Sequence, residues 1–484
     1  MSRDIESLSP AAVWRQFSRL TQIPRPSRHE AQVREYLADF GRHRRLETLV
    51  DAVGNVIIFK PATRGREERP TLILQGHMDM VPQANAGSRH DFTRDPITTR
   101  VDGDWVTAQG TTLGADNGIG VAAILAVLES KELAHGPLEA LFTCNEESGM
   151  DGAFGLKPAV LKGRLLINTD AEDEGVLCIG CAGGVNVNTK LGYRELSIDS
   201  GWITHRLSVT GLRGGHSGVD IHRGRGNAVV LLFRLLKDAV TEFNLKIKSV
   251  DAGNMRNAIP REAFALVAVE PANAAAFGDA LERWRSVFAA ELKRADPEVR
   301  ITLETVAAEP DGWMDDAAAL CLVHAVCACP SGVMRMSDDM PDLVESSNNL
   351  AIVRAAKGVI EIQNLVRSSV DSARDDICGK LASLFTLAGA DTSYDGHYPG
   401  WQPDLSSPLL QLVRQVYRER FDGDATIGAI HAGLECGIIR TAYPDVEMIS
   451  FGPTIRFPHS PDERVEIGSV GRFWELLVGV LEKV

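Results

Sequence analysis

The stretch LEALFTCNEESGMDG, residues 138–152, decides how this chain is expected to fold. Its apolar start, Leu138 to Thr143, predicts a short buried β-strand. The strand leads into two adjacent carboxylates, Glu146 and Glu147, and then a glycine. Because the chain turns there, the two side chains need not point the same way, and one can bind a metal while the other holds a proton. A solvated acidic loop is the alternative interpretation.

The same design recurs along the chain: a strand or a tight turn ends in an acid or a histidine. The segments that show it are LILQGHMDM (72–80), GTTLGADNGIG (110–120), LLINTD (165–170) and PHSPDE (458–463). In an open α/β sheet the ligand site lies outside the carboxyl ends of the strands. We therefore expect these acids and histidines to gather at one edge of a sheet.

The composition is that of a large globular protein. A chain of 484 residues exceeds what one hydrophobic core usually serves, so two or three domains are expected. The net charge of −14 argues against nucleic acid as a partner and disfavours a nuclease or phosphatase. The N-terminus lacks the apolar region of a signal peptide, and no apolar run is long enough to predict a membrane-spanning helix. A cytoplasmic location without membrane contact is therefore expected.

The cysteines are few, 8 in the whole chain, which suggests a reducing compartment. Cys178 and Cys181 form a CxxC pair, a spacing found in zinc and redox sites. No second CxxC completes a four-thiolate site, and the flanking residues are apolar. We therefore predict that this pair packs in the core.

The order of the predicted elements indicates a split domain. The first and last parts of the chain alternate strands with helices, which predicts a mixed, mostly parallel, helix-covered sheet. Between them the pattern predicts two successive α+β units with antiparallel strands. We therefore predict an α/β catalytic domain formed by residues 1–198 and 393–484, with an inserted α+β lid or dimerisation domain at residues 199–392.

The candidate residues fit a dinuclear metal site. Two metals about 3.5–4 Å apart need a bridging ligand and about two further ligands each. One bridging carboxylate, two more acids and two histidines match that count, and one carboxylate remains to deprotonate a metal-activated water. Asp79, two residues after His77, suits the acceptor of that ligand's second ring N–H. Because no thiolate is among the candidates, Zn, Mn or Co suits the site.

Six motifs in order resemble those of the di-zinc exopeptidases of the aminoacylase/carboxypeptidase G type. They are GHMD (76–79), GADN (114–117), NEESG (145–149), NTD (168–170), GGHSG (214–218) and FPHSP (457–461). The local patterns HSGVDIH (216–222) and HAGLECG (431–437) are most similar to the bacterial dipeptidases of that family that cleave Xaa-His substrates. The resemblance covers essentially the whole chain.

The resemblance implies a role for each candidate. The implied ligands are Asp116 as the bridge, His77 and Asp170 on one metal, and Glu147 and His459 on the other. It also implies a cis peptide bond from Asp116 to Asn117. Glu146 would be the general base, and Asp79 would orient His77. His216, in the inserted domain, would donate a hydrogen bond to the carbonyl oxygen as it becomes an oxyanion.

Four further residues are candidates for substrate contact. Arg367 follows a predicted strand, where it can hold a substrate carboxylate through two hydrogen bonds, or lie on the surface. His431, Gly433 and Glu435 lie in or beside a glycine-containing loop, and we predict that they line the substrate site.

The implied activity is hydrolysis of unblocked dipeptides, preferentially Xaa-His (carnosine-like) ones, by a homodimer with two divalent ions per chain, zinc being the first choice. A deacylase or a tripeptidase of the same fold is an alternative, because its metal site would be identical. A non-catalytic metal-dependent binding protein is an alternative from another class. Glu146 weighs against it, since a binding protein needs no free base beside its metals.

Overall fold

The computed structural model describes residues 5–199, 201–307 and 311–484. Residues 1–4, on which part of the N-terminal prediction rests, lie outside this range. The chain forms two compact units, the first from Met1–Gly180, Pro403–Ala429 and Leu434–Val484, the second from Cys181–Gln402 and Ile430–Gly433. These boundaries differ from 198/199 and 392/393 because strands Gly183–Gly192 and Asp391–Tyr398 belong to the large sheet of the second unit. The lid or dimerisation role of the insertion stays a prediction.

The first unit is an α/β structure. Its strands are Glu47–Val50, Val56–Lys60, Leu72–His77, Thr99–Asp102, Trp105–Ala108, Leu138–Thr143, Leu165–Asn168, Val176–Cys181, Thr426–Ile430, Glu447–Ser450, Ile455–Arg456 and Arg464–Glu466. Its helices are Ile5–Ser7, a 3-10 turn, and the α-helices Ala11–Thr21, Ala31–His43, Ala115–Glu129, Glu146–Gly149, Asp151–Gly155, Pro408–Arg420, Glu435–Ala442 and Ile467–Lys483. Cys178 and Cys181 are buried within their strand, which confirms the predicted core packing.

An eight-stranded sheet forms the centre of this unit. Its four middle strands, Leu138–Thr143, Leu72–His77, Leu165–Asn168 and Glu447–Ser450, run parallel, and antiparallel strands flank them. Every residue of the first two is buried, as is typical of parallel strands in α/β proteins. The predicted mixed, mostly parallel sheet is confirmed.

The pairing register places the functional segments at one edge of the sheet. The paired residues near this edge are His77 with Thr143, Gln75 with Asn168, and Asn168 with Ser450. Because the parallel strands end together, the residues that follow them, Glu146, Glu147 and Asp170, emerge at the same edge.

A small four-stranded sheet holds the segment that carries His459. Strands Ile455–Arg456 and Arg464–Glu466 pair with each other, and the second also pairs with Trp105–Ala108. His459 lies in the loop between them with φ +60°, a left-handed conformation that is uncommon outside glycine.

The second unit is built on a nine-stranded antiparallel sheet. The strands of this unit are Gly183–Gly192, Glu195–Leu196, Ile203–Thr210, Gly215–His216, Lys246–Ala252, Ala258–Ile259, Ala263–Val269, Arg300–Thr305, Trp313–Met314, Gly332–Met336, Val344–Ala356, Val359–Ser368 and Asp391–Tyr398. Its helices are Ala228–Phe243, Pro271–Asn273 (a 3-10 turn), Ala274–Glu291, Asp316–Ala328 and Asp371–Leu387. The expectation of two separate α+β units was wrong, because Lys246–Ala252 pairs with Val344–Ala356 and joins them in one sheet.

Within the described ranges, no helix combines the length and the hydropathy needed to cross a membrane.

Candidate active site

Asp116 lies between two histidines of the first unit. Its Oδ1 is 3.0 Å from His77 Nε2, and its Oδ2 is 3.2 Å from His459 Nε2. The peptide bond from Asp116 to Asn117 is cis, as the resemblance implies. A carboxylate with one imidazole beside each oxygen has the arrangement of a ligand shared between two metals.

The two remaining predicted ligands extend this arrangement on either side. Asp170 Oδ1 is 3.3 Å from His77 Nε2, and Glu147 Oε2 is 3.0 Å from His459 Nε2. Ligand atoms of His77, Asp116 and Asp170 lie within 4.8 Å of one another, as do those of Asp116, Glu147 and His459. The structure thus brings the five residues together as two adjacent groups that share Asp116.

The electrostatics of these groups favour bound cations. Burial and then the charge of Asp116 raise the pKa of Glu147 to about 7, and burial raises the pKa of Asp170 to about 6. Hydrogen bonds to Asp116 and Glu147 raise the pKa of His459 to about 11. Glu147 Oε1 is buried and has no hydrogen-bond partner among the described residues. Buried carboxylates need positive charge nearby, and this set of nitrogen and oxygen atoms fits divalent metals such as zinc.

Asp79 connects His77 to the glutamate pair. The Asp79 carboxylate is buried, and its Oδ1 is 3.4 Å from His77 Nδ1. It accepts the backbone N–H of Glu146 at 3.1 Å, that of Glu147 at 3.3 Å, and the Ser27 hydroxyl at 2.8 Å. Asp79 therefore contacts one candidate ligand and fixes the turn that carries another.

Glu146 is the carboxylate left over from the two groups that share Asp116. It forms a further close group with His77 and Glu147, and burial raises its pKa well above its ordinary value. Its place beside the candidate ligands, at the first residue of helix Glu146–Gly149, suits a group that exchanges a proton at this site.

A chain of buried polar side chains lies beneath the candidate ligands, and of its members the sequence indicated only Glu435, as a candidate for substrate contact. Glu435 accepts hydrogen bonds from Gln75 Nε2 and Thr143 Oγ1, each at 2.6 Å. Gln75 accepts one from Asn168, also at 2.6 Å, and Asn168 accepts one from Ser450 at 2.5 Å. These bonds join the four parallel strands near their carboxyl ends. The signal was present in HAGLECG, which places an acid at the start of a helix.

Two more buried charges were missed. Glu463 accepts hydrogen bonds from four successive backbone N–H groups in the turn before Asp116 and at Asp116 itself. Arg25 donates to one backbone carbonyl of the same turn and to two in the segment after His77. Arg25 lies in the segment PRP (24–26), and Glu463 ends the segment PHSPDE (458–463). Neither sequence pattern shows which backbone groups the charged side chain will contact.

In the second unit, the hydrogen bonds of His216 determine where its ring proton lies. His216 Nδ1 accepts the backbone N–H of Gly218 at 3.2 Å and that of Val219 at 3.0 Å. Since Nδ1 is the acceptor, the neutral ring carries its proton on Nε2, which is then a donor. The role of His216 as a donor to an oxyanion, which the resemblance implies, stays a prediction.

His431 lies close to the His216 loop within this unit. A Cβ placed on Gly218 would stand 1.9 Å from the His431 carbonyl oxygen, so only glycine fits there. His431 Nε2 is 2.7 Å from Ser347 Oγ. Burial and then the charge of Arg367 lower the pKa of His431 to about 3, which keeps its ring neutral. Gly433 is half-buried in the same segment, Ile430–Gly433.

Arg367 is buried in this unit rather than lying on the surface. It pairs with Ser347 across neighbouring strands, which places it near His431. Its Nη1 donates to the Tyr398 hydroxyl at 2.6 Å, while its Nε is buried and has no hydrogen-bond partner among the described residues. In the described ranges no carboxylate forms an ion pair with this guanidinium.

Known proteins are similar to this chain in sequence and in fold. The profile of "Peptidase family M20/M25/M40" matches residues 73–483. The chain belongs to this peptidase family. The predicted class of enzyme, a metallopeptidase that hydrolyses peptide bonds, is thereby confirmed, as is the resemblance that the motifs indicated.

Two relatives resemble this M20 peptidase over nearly its whole length. It is 44% identical to the cytosol non-specific dipeptidase of Escherichia coli, over 99% of both chains. The crystal structure of aminoacylhistidine dipeptidase from Vibrio alginolyticus superposes with a TM-score of 0.91 at 44% identity, over 100% of this chain and 98% of that one. Aminopeptidase PepT from Bacillus cereus, at 15% identity and a TM-score of 0.58 over 98% and 99% of the two chains, shares the fold.

Proposed function

We propose that this M20 peptidase is a di-metal dipeptidase that hydrolyses unblocked dipeptides, with a preference for Xaa-His. The observation that carries the proposal is the Asp116 carboxylate, which faces His77 with one oxygen and His459 with the other. The names of the two relatives at 44% identity, a non-specific dipeptidase and an aminoacylhistidine dipeptidase, support the substrate class.

We assign the metal ligands as the sequence predicts. His77, Asp116 and Asp170 would hold one divalent ion, and Asp116, Glu147 and His459 the other. Zinc is our first choice and manganese or cobalt the second, because the donors are imidazole nitrogens and carboxylate oxygens. Such ions polarise the scissile carbonyl and lower the pKa of a water molecule.

The proton transfers would depend on Glu146. Its carboxylate takes a proton from the attacking water and delivers it to the nitrogen of the leaving amine. Asp79 holds the backbone N–H of Glu146 and also contacts His77, so it keeps the base and one ligand in a fixed relation. The intact base argues against the alternative of a metal-dependent binding protein.

His216 would stabilise the negative charge that develops on the carbonyl oxygen. Its Nδ1 accepts two backbone N–H groups, so the neutral ring carries its proton on Nε2, and Nε2–H would be the donor to this oxygen. A donor that is already oriented contributes more than one that must reorganise during the reaction.

Arg367 would bind the free carboxylate of the dipeptide. A buried guanidinium is costly without a negative partner, and its hydrogen bond in the described structure goes to the neutral hydroxyl of Tyr398. A carboxylate can accept two parallel hydrogen bonds from such a group. His431 and Gly433 would line the same region, with His431 as a neutral hydrogen-bonding group.

A substrate panel tests the proposal against its alternatives. We expect hydrolysis of dipeptides with free termini, fastest with a C-terminal histidine, and little hydrolysis of N-acetylated dipeptides or tripeptides. The assay is repeated with zinc, manganese and cobalt, and metal content is measured in parallel. Preference for an N-acylated substrate would support a deacylase, and preference for tripeptides a tripeptidase. Metal binding without hydrolysis of any of them would favour the binding protein.

The homodimer stays a prediction that size measurements in solution test. The cytoplasmic location also stays a prediction, and the word cytosol in the name of the Escherichia coli relative accords with it.

A further inference from the structure

The buried Glu463 carboxylate accepts hydrogen bonds from the backbone N–H groups of the turn that carries Asp116. Oε2 accepts the backbone N–H of Leu113 at 2.7 Å and that of Gly114 at 2.9 Å. Oε1 accepts those of Ala115 at 2.7 Å and Asp116 at 3.2 Å. Successive N–H groups that converge in this way form a binding site for an anion, and here the anion is a side chain of the same protein.

Arg25 donates a hydrogen bond to a backbone carbonyl of the same turn and to two carbonyls of a neighbouring segment. Its guanidinium donates to the carbonyl oxygens of Gly114 at 2.5 Å, Asp79 at 2.8 Å and Met78 at 3.1 Å. A Cβ on Gly114 would lie 2.6 Å from Arg25 Nη2, and one on Gly118 would lie 2.5 Å from it. The two glycines therefore make room for the guanidinium, which ties the turn to the segment that follows His77.

The buried charges of Arg25 and Glu463 stabilise each other as well as the turn. Arg25 and Glu463 are both 2% exposed. Burial lowers the pKa of Arg25, and the negative charge of Glu463 opposes this effect more than that of any other group. Removal of one buried charge leaves the other uncompensated.

We infer that Arg25 and Glu463 are the positioning pair of the metal centre: neither binds a metal, and together they fix the bridging Asp116 relative to His77 and His459. Arg25 joins the Asp116 turn to the segment after His77, and Glu463 joins it to the loop that carries His459, four residues earlier in the chain. The inference rests on the proposed ligands and is independent of the proposed substrate.

The experiment measures metal binding by the whole protein. Glu463→Gln keeps the size of the side chain, but its amide group presents N–H to backbone donors that need an acceptor. We expect the affinity for zinc, measured by competition with a chelator, to fall about 10- to 100-fold, the usual effect of losing a group that orients ligands. The visible absorption of the cobalt-substituted protein should change as well, because Asp116 is no longer fixed.

Two control variants match the change. Asp462→Asn removes the same charge one residue away, at an exposed position. Glu139→Gln removes a buried carboxylate that accepts the backbone N–H groups of Lys162 and Gly163 in the same unit. Both should keep wild-type metal affinity and the wild-type cobalt spectrum.

Each outcome bears on the inference. A folded Glu463→Gln protein with wild-type zinc affinity and cobalt spectrum would show that the pair only stabilises the fold. An equal loss of zinc affinity in a control variant would show that any change in charge or stability weakens metal binding, and it would overturn the inference. Circular dichroism of the metal-free proteins establishes folding. If Glu463→Gln does not fold, Glu463→Asp and Arg25→Lys, which keep the buried charges, take its place, and wild-type affinity in both overturns the inference. A wild-type protein that binds no metal would instead refute the proposed metal centre, and the pair with it.

Discussion

Substitution of His216 separates two tasks of one imidazole ring. Nδ1 accepts two backbone N–H groups of its own loop, and Nε2, which carries the proton of the neutral ring, is the proposed donor to the oxyanion. In His216→Asn the amide oxygen stands near the position of Nδ1, so the loop keeps its acceptor while the donor is lost. In His216→Gln the amide nitrogen reaches toward the position of Nε2, so a donor remains while the loop loses its acceptor.

The two variants should therefore fail in different ways. One oxyanion donor contributes about 2.7–4 kcal/mol, so His216→Asn should lower kcat about 10²- to 10³-fold with little change in KM. Each backbone N–H that loses its partner costs about 0.5–1.5 kcal/mol of folding stability, and His216→Gln removes the acceptor of two. His216→Gln should therefore lower the melting temperature and reduce kcat less than His216→Asn does.

The assay is steady-state hydrolysis of an Xaa-His dipeptide, with metal content and melting temperature measured on the same preparations. Equal metal content in all three proteins is the control, because the proposed ligands lie in the other unit. A His216→Asn protein with wild-type kcat would refute the donor role. Equal losses of kcat in both variants would assign His216 to loop structure.

Three further substitutions test the remaining roles. Glu146→Gln should retain its metals and lose kcat by about 10²- to 10⁴-fold, as measured by metal analysis and rate assays, because it removes the proposed base and none of the proposed ligands. His459→Ala should lose about half of the bound metal, since this histidine belongs to one of the two candidate ligand groups. A wild-type protein that never binds more than one ion per chain would contradict the two-metal proposal. Arg367→Met should raise KM for a dipeptide about 10- to 100-fold, because it removes a hydrogen bond to a charged group that is worth about 1.5–3 kcal/mol. The KM for the C-terminally amidated dipeptide should not change.

The sequence was informative where chemistry and strand ends coincide. Acids and histidines that follow buried strands must emerge at the edge where parallel strands end, and so the region around Glu147 and Asp170 could be predicted without coordinates. Strand Leu138–Thr143 has the bounds that its apolar run predicts. Local hydrophobic pattern is sufficient for such elements, because burial selects apolar residues one position at a time.

The sequence was uninformative where the partner of a group lies far away in the chain. Nothing local in Lys246–Ala252 shows that it will pair with Val344–Ala356, and for that reason the single nine-stranded sheet was missed. The same applies to Arg25, which meets carbonyl groups more than fifty residues away, and to Glu435, which meets Gln75. A buried charge is explained by the groups that it contacts, and those groups are known only from the fold.

The loop that carries His459 shows why a positioning residue is needed beside a ligand. Phe457 and His459 both have positive φ, 55° and 60°, and a left-handed conformation costs a residue with a Cβ roughly 1–2 kcal/mol. Such a conformation persists only where the surroundings impose it. Pairing of Ile455–Arg456 with Arg464–Glu466 fixes the two ends of the loop, and the four hydrogen bonds of Glu463 anchor it to the Asp116 turn. The protein thus sets the separation between the two proposed ligands through its own hydrogen bonds, so the proposed site would have its geometry determined before a metal ion binds.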